Sequence, residues 1–191
     1  MDRSGREQNV DVKTLCLAIL SRGEASGYEI RKQLSQGVFG TFYDAGYGSI
    51  YPALQRLTDE KLVQCREVEQ SKRPDKKIYA LTPHGRFALL DALRHKPDAD
   101  KFRSPFLLTL LFSSLLSPRD VDGLIDNRLE ELRRQIDTSA QAASQAEDPA
   151  DRFVWNYDLA VAKAAAEYIE ANRHELLRLS LVGEKRTVNA R

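Results

Sequence analysis

The chain has 191 residues, of which 42% are hydrophobic and 30% charged, a composition typical of a globular protein with a substantial core. No apolar run approaches the ~18 residues that a membrane span requires, and the polar start carries no secretory signal. The net charge of +1 is uneven, because residues 1–98 contain 16 Lys and Arg against 13 Asp and Glu. Cys16 and Cys65 do not make a disulfide framework, so we expect a cytoplasmic protein.

Two helices are predicted before residue 37. Asp11 is placed to cap a first helix over residues 12–22, which is apolar on nearly all sides and so suits the centre of a domain. Ser26 and Glu29 have the spacing of a capping box, which predicts a second helix over residues 27–36. A connection rich in glycine and aromatic residues then leads to the third helix.

Residues 46–63 predict this third helix, which is short and amphipathic. Ser49 is placed to cap its first turn, where Pro52 is tolerated because the missing N–H has no partner within the helix. Four apolar residues recur at helical spacing and are expected to face a core: Ile50, Ala53, Leu54 and Leu57. The other face carries side chains that can hydrogen-bond to base edges and phosphates: Tyr47, Ser49, Tyr51, Gln55, Arg56 and Asp59.

Two strands with a basic connection follow the third helix. Residues 62–68 and 76–81 show partial alternation of apolar and β-branched residues, and residues 69–75 form a polar tip between them. Five basic residues cluster in this hairpin: Arg66, Lys72, Arg73, Lys76 and Lys77. Three helices followed by a basic hairpin predict a winged helix-turn-helix domain that places its third helix in the major groove of double-stranded DNA.

Three segments of this domain resemble the PadR family of bacterial transcriptional regulators, over about residues 15–93. The segments are Tyr28-Glu29-Ile30, Gly48-Ser49-Ile50-Tyr51-Pro52-Ala53-Leu54-Gln55-Arg56-Leu57 and Tyr79-Ala80-Leu81-Thr82-Pro83-His84-Gly85. The chain departs from the family at Lys61, where members usually have a glycine in the left-handed conformation that ends the third helix. It also departs at the hairpin tip, where Ser71-Lys72 replaces a usual glycine.

The resemblance implies a homodimeric transcriptional regulator, and by likeness to the family a repressor that occludes an inverted-repeat promoter site. The residues expected to contact DNA lie on the second and third helices and on the hairpin: Tyr28, Tyr47, Ser49, Tyr51, Gln55, Arg56, Lys72, Arg73, Lys76 and Lys77. Structural alternatives exist for some of them. Tyr51 borders the apolar face and could pack there, Arg56 could pair with Glu60 at i+4, and the hairpin could simply be solvated.

The second half of the chain is predicted to be helical. Four prolines preceded by a capping residue mark helix starts: Thr82-Pro83, Ser104-Pro105, Ser117-Pro118 and Asp148-Pro149. After a linker over residues 96–101, a short apolar helix over residues 104–116 is followed by two long helices, to about residues 146 and 179. The two long helices are expected to form an antiparallel hairpin.

The predicted fold class is therefore mainly α with a small β-hairpin wing. We predict a winged-helix domain over residues 1–98, a C-terminal helical domain over residues 102–182 and a flexible tail over residues 183–191. The second domain resembles, in pattern, the C-terminal domain of virulence-regulator-type PadR proteins, which implies a role in dimerisation.

The last helix carries apolar residues broadly on one face: Phe153, Tyr157, Val161, Ala164, Tyr168, Leu176 and Leu179. A lone hairpin cannot fully bury the apolar excess on the helices starting at Pro105, Pro118 and Pro149, so we expect a homodimer held mainly by the C-terminal half. The aromatic residues at its start, Phe153, Trp155 and Tyr157, could line a pocket for a small-molecule effector, or could pack the hairpin alone.

No cofactor, metal or enzymatic site is predicted. His84, His95 and His174 lie far apart without further ligands at suitable spacing, and the sequence contains neither a nucleophile elbow nor a phosphate-binding glycine-rich loop. Two other hypotheses remain beside DNA binding. The winged helix could bind a protein instead, or the chain could be a thiol-based redox regulator that uses Cys65.

Overall fold

The computed structural model describes residues 11–41, 47–68, 76–97, 99–100 and 102–188, with the backbone alone for residues 47, 179 and 182–188. It divides into two compact units, Met1–Asp100 and Lys101–Arg191. The described residues are mainly helical, with one small antiparallel sheet in the first unit. The expected fold class, a winged helix followed by a helical hairpin, is confirmed.

The first unit contains four α-helices: α1 (Val12–Leu20), α2 (Gly27–Gln36), α3 (Ile50–Asp59) and α4 (Pro83–Arg94). Their starts follow from local capping chemistry. The Asp11 carboxylate accepts the Thr14 N–H at 2.8 Å, and the capping box between Ser26 and Glu29 is closed in both directions. α4 begins at the predicted Thr82-Pro83 pair.

The described residues of the first unit also form a three-stranded sheet in the order β1-β3-β2, with β1 at Ala25–Ser26, β2 at Val63–Val68 and β3 at Lys76–Leu81. β2 and β3 form the predicted hairpin, which we call the wing, with a register from Val63 opposite Leu81 to Val68 opposite Lys76. The two-residue strand β1 was not predicted. It forms because the backbone before α2 is extended and pairs with β3, which joins the start of α2 to the wing. The wing tip, residues 69–75, lies outside the described residues, and so do Lys72 and Arg73.

The core of the first unit is built around α1 and α3. Five of the nine residues of α1 are buried, as expected for a helix that is apolar on nearly all sides. The predicted inner face of α3 is also confirmed, since its apolar residues are at most 6% exposed: Ile50, Ala53, Leu54 and Leu57. This burial leaves the opposite face of α3 for solvent.

The start of α3 differs from its sequence prediction, whereas its end has the left-handed conformation that is usual in the family. Ser49 does not cap the helix with its side chain, because its backbone is already helical (φ −91°, ψ −17°) within a 3₁₀ turn, Tyr47–Ser49, that runs directly into α3. The predicted cap was wrong, since a capping residue needs an extended backbone. At the other end, Lys61 has φ 58°, and the Leu62 N–H donates to the Leu57 carbonyl at 2.9 Å. Lysine therefore keeps the left-handed conformation in which the family usually has glycine.

The second unit contains α5 (Pro105–Leu111), a 3₁₀ turn (Ser113–Leu115), α6 (Pro118–Gln145) and α7 (Pro149–Val188). All three begin at predicted serine-proline or aspartate-proline pairs. α5 is shorter than expected, because the chain tightens into the 3₁₀ turn. α7 is longer than expected, and its backbone enters the segment 183–191 that we had predicted as a flexible tail. The helix-favouring Glu184, Lys185 and Arg186 follow Gly183, and no proline stops the helix there.

α6 and α7 form the predicted antiparallel hairpin. Its apolar core consists of Val121, Ile125 and Leu129 of α6. Leu110 and Leu116, which precede α6 in the chain, pack against this core, and so do four residues of α7: Ala166, Ile169, Leu176 and Leu177. Polar links across the hairpin fix its register. Arg173 donates to Asp122 and Asp126, and Asp158 accepts from Gln135 at 2.8 Å.

Most of the predicted apolar face of α7 does not pack on the hairpin. Phe153 and Tyr168 are each 72% exposed, Tyr157 is 63% exposed and Val161 is 50% exposed, so these residues face away from α6. The side of α7 that packs on α6 includes the small residues Ala162 and Ala166, which let the two backbones approach closely. Of the predicted face, Leu176 alone among the described side chains packs on the hairpin core.

Candidate nucleic-acid interface

The outer face of α3 carries the candidate base-contacting residues. Tyr51, Gln55 and Asp59 are exposed and follow one another at intervals of four residues, so they form a row along one side of the helix. Arg56 is exposed beside this row. A helix whose inner face is fully buried and whose outer face is polar is held firmly while it presents these side chains to a partner.

Gln55 and Asp59 are hydrogen-bonded to each other. The Gln55 Nε2 donates to the Asp59 Oδ1 at 2.9 Å, between side chains one helical turn apart. This bond was not anticipated from the sequence, although the i,i+4 spacing of an amide and a carboxylate is a signal that could have suggested it. The Gln55 amide is therefore oriented before any partner arrives.

Tyr51 packs against the start of α2 and also remains partly exposed. A Cβ atom placed on Gly27 would lie 2.6 Å from the Tyr51 Cε1, so the tyrosine ring packs over the start of α2. The residue nevertheless remains 54% exposed, and Tyr28 on α2 is 68% exposed. Gly27 is thus a residue that sequence analysis missed: it matters because the ring of Tyr51 occupies the space that any side chain there would need.

Arg56 is not held by the carboxylate that was considered for it. Glu60 directs both carboxylate oxygens to the Lys13 Nζ of α1, at 2.7 and 2.6 Å, rather than to Arg56. The Lys13–Glu60 pair joins α1 to the end of α3, and it leaves the Arg56 guanidinium on the exposed face of the helix.

The basic residues that the structure describes in the wing each face a carboxylate. The Lys76 Nζ lies 3.0 Å from the Glu29 Oε1, and the Lys77 Nζ lies 3.7 Å from the Glu67 Oε1. Arg66 pairs with Glu24 at 2.6 Å. Exposed pairs of this kind are each worth only ~0.2–1 kcal/mol, so a phosphate can replace the carboxylate at small cost.

Glu29 joins the start of α2 to the wing. Its Oε2 accepts from the Ser26 backbone N–H and from the Ser26 hydroxyl, both at 2.7 Å, while its Oε1 accepts from Lys76. These bonds, led by the one from the Ser26 backbone, lower the pKa of the Glu29 carboxyl to about 2. One carboxylate therefore completes the helix cap and positions a wing lysine.

The three candidate effector residues are not gathered into one site by the second unit alone. Phe153 and Tyr157 lie one turn apart on the exposed face of α7. Trp155 is half-buried and points to another side of the helix, because residues two apart in a helix do not face each other.

The two cysteines have different surroundings. Cys16 is fully buried, and burial, together with the charge of Asp11, raises the pKa of its thiol to about 12. Cys65 is exposed on β2, directly across from Tyr79 on β3. Burial foremost, and then the neighbouring Cys65, raise the pKa of the Tyr79 hydroxyl. The partner of Cys65 across the strands is thus a tyrosine and not a cation that would activate a thiol.

The described residues also bear on two other classes of protein, membrane-spanning and metal-binding. In that part of the chain, no helix is both long and apolar enough to cross a membrane. Nor do the described residues contain a group of three or more His, Cys, Asp or Glu side chains that could hold a metal ion.

The first unit matches a known protein family. The model of the "Transcriptional regulator PadR-like family" matches residues 16–91. The negative transcriptional regulator PadR of Bacillus subtilis is 33% identical over 126 residues, which cover 65% of this chain and 69% of that protein.

Solved structures extend the likeness over both units. A Streptococcus mutans protein superposes with a TM-score of 0.77 at 31% identity, covering 85% of this chain and 98% of the other. B. subtilis PadR in complex with operator DNA gives 0.76 at 27% identity, with 86% and 98% covered, and its complex with p-coumaric acid gives 0.68 at 26% identity, with the same shares covered. The Vibrio cholerae virulence activator AphA shares the fold, with a TM-score of 0.62 at 21% identity over 88% of this chain and 96% of its own.

Proposed function

Because the chain belongs to the PadR-like family of transcriptional regulators, we propose that it is a homodimeric repressor that binds an inverted-repeat site in promoter DNA. The observation that carries this proposal is α3, whose inner face is buried while its outer face presents Tyr51, Gln55 and Arg56 beside a basic wing. A helix of this kind fits the major groove, and a wing fits the adjacent backbone.

We assign the contacts by side-chain chemistry. Gln55 contacts a base edge, while Arg56 and the exposed hydroxyl-bearing residues Tyr28 and Tyr51 contact phosphate or base edges near the start of α3. Tyr47 and Ser49 directly precede this helix along the chain, and we propose them as further DNA contacts. The wing contributes the phosphate-binding lysines and arginine: Lys72, Arg73, Lys76 and Lys77.

A second copy of the chain is the partner that we propose for the second unit. Two of its elements leave large apolar side chains exposed: Leu107, Leu108, Leu111, Phe112 and Leu115 around α5, and Phe153, Tyr157, Val161 and Tyr168 on α7. Large exposed apolar surfaces are typical of protein interfaces. A two-fold dimer also matches the symmetry of an inverted-repeat site, with two α3 helices about one helical turn of DNA apart.

A small-molecule effector would act through this dimer. We place its site at the start of α7, where Phe153 and Tyr157 supply aromatic surface on one side of the helix and Trp155 on another, so that a second copy has to complete it. The complex of B. subtilis PadR with p-coumaric acid supports an aromatic ligand. An effector releases DNA when it binds more tightly to a dimer in which the two α3 helices are wrongly spaced. Calorimetric titration with p-coumaric acid, on the parent and on Trp155→Phe, tests the site. Equal heats from the two proteins would place the ligand elsewhere.

DNA binding itself is tested by fluorescence anisotropy with the promoter region upstream of the gene that encodes the chain and with random-sequence DNA of equal length. We expect specific binding, with an affinity that falls steeply as salt rises. Lys72→Ala with Arg73→Ala should flatten the slope of log affinity against log salt by up to ~3.6 in a dimer, and should weaken both DNAs alike.

The same measurements separate the other hypotheses. If neither DNA is bound, the wing and α3 serve a protein partner instead. If peroxide abolishes binding by the parent but not by Cys65→Ser, the chain is a thiol-based regulator.

A further inference from the structure

We propose that Asp59 orients Gln55 so that the glutamine recognises adenine at one position in each half-site. The inference rests on the proposed DNA binding, and it adds a base preference and a positioning residue. It starts from the 2.9 Å hydrogen bond between the Gln55 Nε2 and the Asp59 Oδ1 on the exposed face of α3.

The chemistry of the two groups fixes the direction of this bond. An ionised carboxylate only accepts hydrogen bonds, so the atom of the Gln55 amide that faces Asp59 has to be the NH₂ group. The flipped amide would place its oxygen against the carboxylate, and the two acceptors would repel each other. The bond to Asp59 uses one N–H, which leaves the second N–H and the Oε1 for another partner.

This remaining pair of groups matches adenine. In the major groove adenine presents an acceptor, N7, beside a donor, the N6 amino group, and glutamine binds both in a bidentate contact. Guanine presents two acceptors, N7 and O6, so an amide whose oxygen is held outward meets O6 unfavourably. A good bidentate contact discriminates roughly 5- to 150-fold against the wrong base.

The position of Asp59 is otherwise unfavourable, which strengthens the assignment. A carboxylate at the C-terminal end of a helix opposes the helix dipole, and a negative charge on a DNA-facing surface repels phosphate. Neither the helix dipole nor general affinity for DNA explains an aspartate there. Its hydrogen bond to Gln55 does.

The test selects binding sites from a random-sequence DNA library with the full-length parent, Gln55→Ala, Asp59→Asn and Asp91→Asn. Asp91→Asn is the matched control, because Asp91 is an exposed carboxylate on α4 and the same charge is removed. Thermal unfolding of each variant verifies the fold. Relative affinities are then measured for sites that carry each of the four base pairs at every position.

We expect the parent to prefer adenine at one symmetric pair of positions, and Gln55→Ala to lose the preference there alone. Asp59→Asn should reduce the preference for adenine over guanine at that pair by at least 5-fold, because asparagine tolerates both orientations of the amide. Asp91→Asn should keep it. A structural role of Asp59 would change affinity at all positions equally.

Three results would overturn the inference. Full adenine preference in Asp59→Asn would show that Asp59 does not orient Gln55. A different preferred base at the positions that depend on Gln55, such as cytosine contacted by Asp59 itself, would also exclude the assignment. Failure of the parent to select any sequence would refute the proposed function, and the inference would fall with it.

Discussion

α3 and α7 both carry apolar residues at helical spacing, yet the two helices use them in opposite ways. The four apolar residues of α3 are at most 6% exposed, because α1, α2 and β2 surround its inner face. On α7, Phe153, Tyr157 and Tyr168 are each more than 60% exposed, although another face of the same helix packs on α6. A helix that packs on a single neighbouring helix buries one of its faces. α7 has two apolar faces, so the second face stays exposed.

The difference shows what periodicity tells about a helix. Spacing identifies a face as apolar, and it does so correctly for both helices. It does not identify what will cover that face, because this depends on the number of elements nearby and on how closely each side permits them to approach. α7 places its small residues toward α6 and its aromatic residues outward, where we propose that a second copy lies.

The largest effect is expected from substitutions on the exposed aromatic face of α7. Tyr157→Asp combined with Val161→Asp places two charges on the exposed face of α7, and burial of unpaired charge in an interface is strongly unfavourable. The dimer should dissociate, and operator affinity should fall ~10²–10⁴-fold because the half-sites are then bound independently. Sedimentation velocity and anisotropy with operator DNA measure the two effects.

Lys163→Asp is the control for that experiment, because Lys163 is exposed on α7 but lies off the aromatic face. It should leave the dimer intact. If the double variant remains a dimer with unchanged operator affinity, the exposed face of α7 is not the interface, and a second copy does not cover it.

The corresponding change in α3 should affect stability instead of association. Leu54 is fully buried, and truncation of such a leucine costs ~2–5 kcal/mol through lost transfer energy and a residual cavity. Urea unfolding should show a lower midpoint for Leu54→Ala, and the m-value should not change. Gln55→Ala, at the next residue but on the outer face, should change the free energy of unfolding by less than ~0.5 kcal/mol. Equal losses from the two variants would contradict the assignment of the faces.

The features that could be predicted from the sequence are those decided locally. The capping box of Ser26 and Glu29 and the proline-marked starts of α4, α5, α6 and α7 depend on residues within one turn of each other. At Lys61 the family resemblance pointed to a helix end where glycine is usual, and the lysine adopts the same left-handed conformation. The exposed polar face of α3 was also identified, because its buried face was predicted correctly.

The features that could not be predicted depend on residues far apart in the chain. β1 is only two residues long and exists because β3 lies beside it. The pairing of Glu60 with Lys13, and not with Arg56, requires α1 to lie next to the end of α3. Ser49 failed as a cap for a different reason: the 3₁₀ turn before α3 continues the helical backbone through it.

A smaller effect is expected at Lys61, which ends α3 in the left-handed conformation. A non-glycine residue in the left-handed conformation costs about 1 kcal/mol, and glycine removes this cost. Glycine also gives the unfolded chain more conformational entropy, which offsets part of the gain. Lys61→Gly should therefore stabilise the protein by up to about 1 kcal/mol in urea unfolding. Lys32→Gly, an exposed lysine in α2, is the matched control and should destabilise by a similar amount. Destabilisation by both variants would indicate that the Lys61 side chain makes a compensating contact.

The smallest effect concerns Glu29, which links the cap of α2 to Lys76 of the wing. The folded pKa of this carboxyl, about 2, lies below its ordinary value of 4.5, so its charged form stabilises the fold above pH 4.5 and that contribution is lost as the pH falls toward 2. Glu29→Gln should be less stable than the parent at pH 7, by a modest amount because the side chain is nearly half exposed. The difference in free energy of unfolding between the two proteins should shrink between pH 4.5 and 2, because other carboxylates titrate in both proteins and their effects cancel.

Urea unfolding at pH 7 and pH 3 measures this difference. Glu67→Gln is the control, because Glu67 faces Lys77 at 3.7 Å and closes no capping box. A difference that stays constant with pH would show that Glu29 acts through its shape and not through its charge.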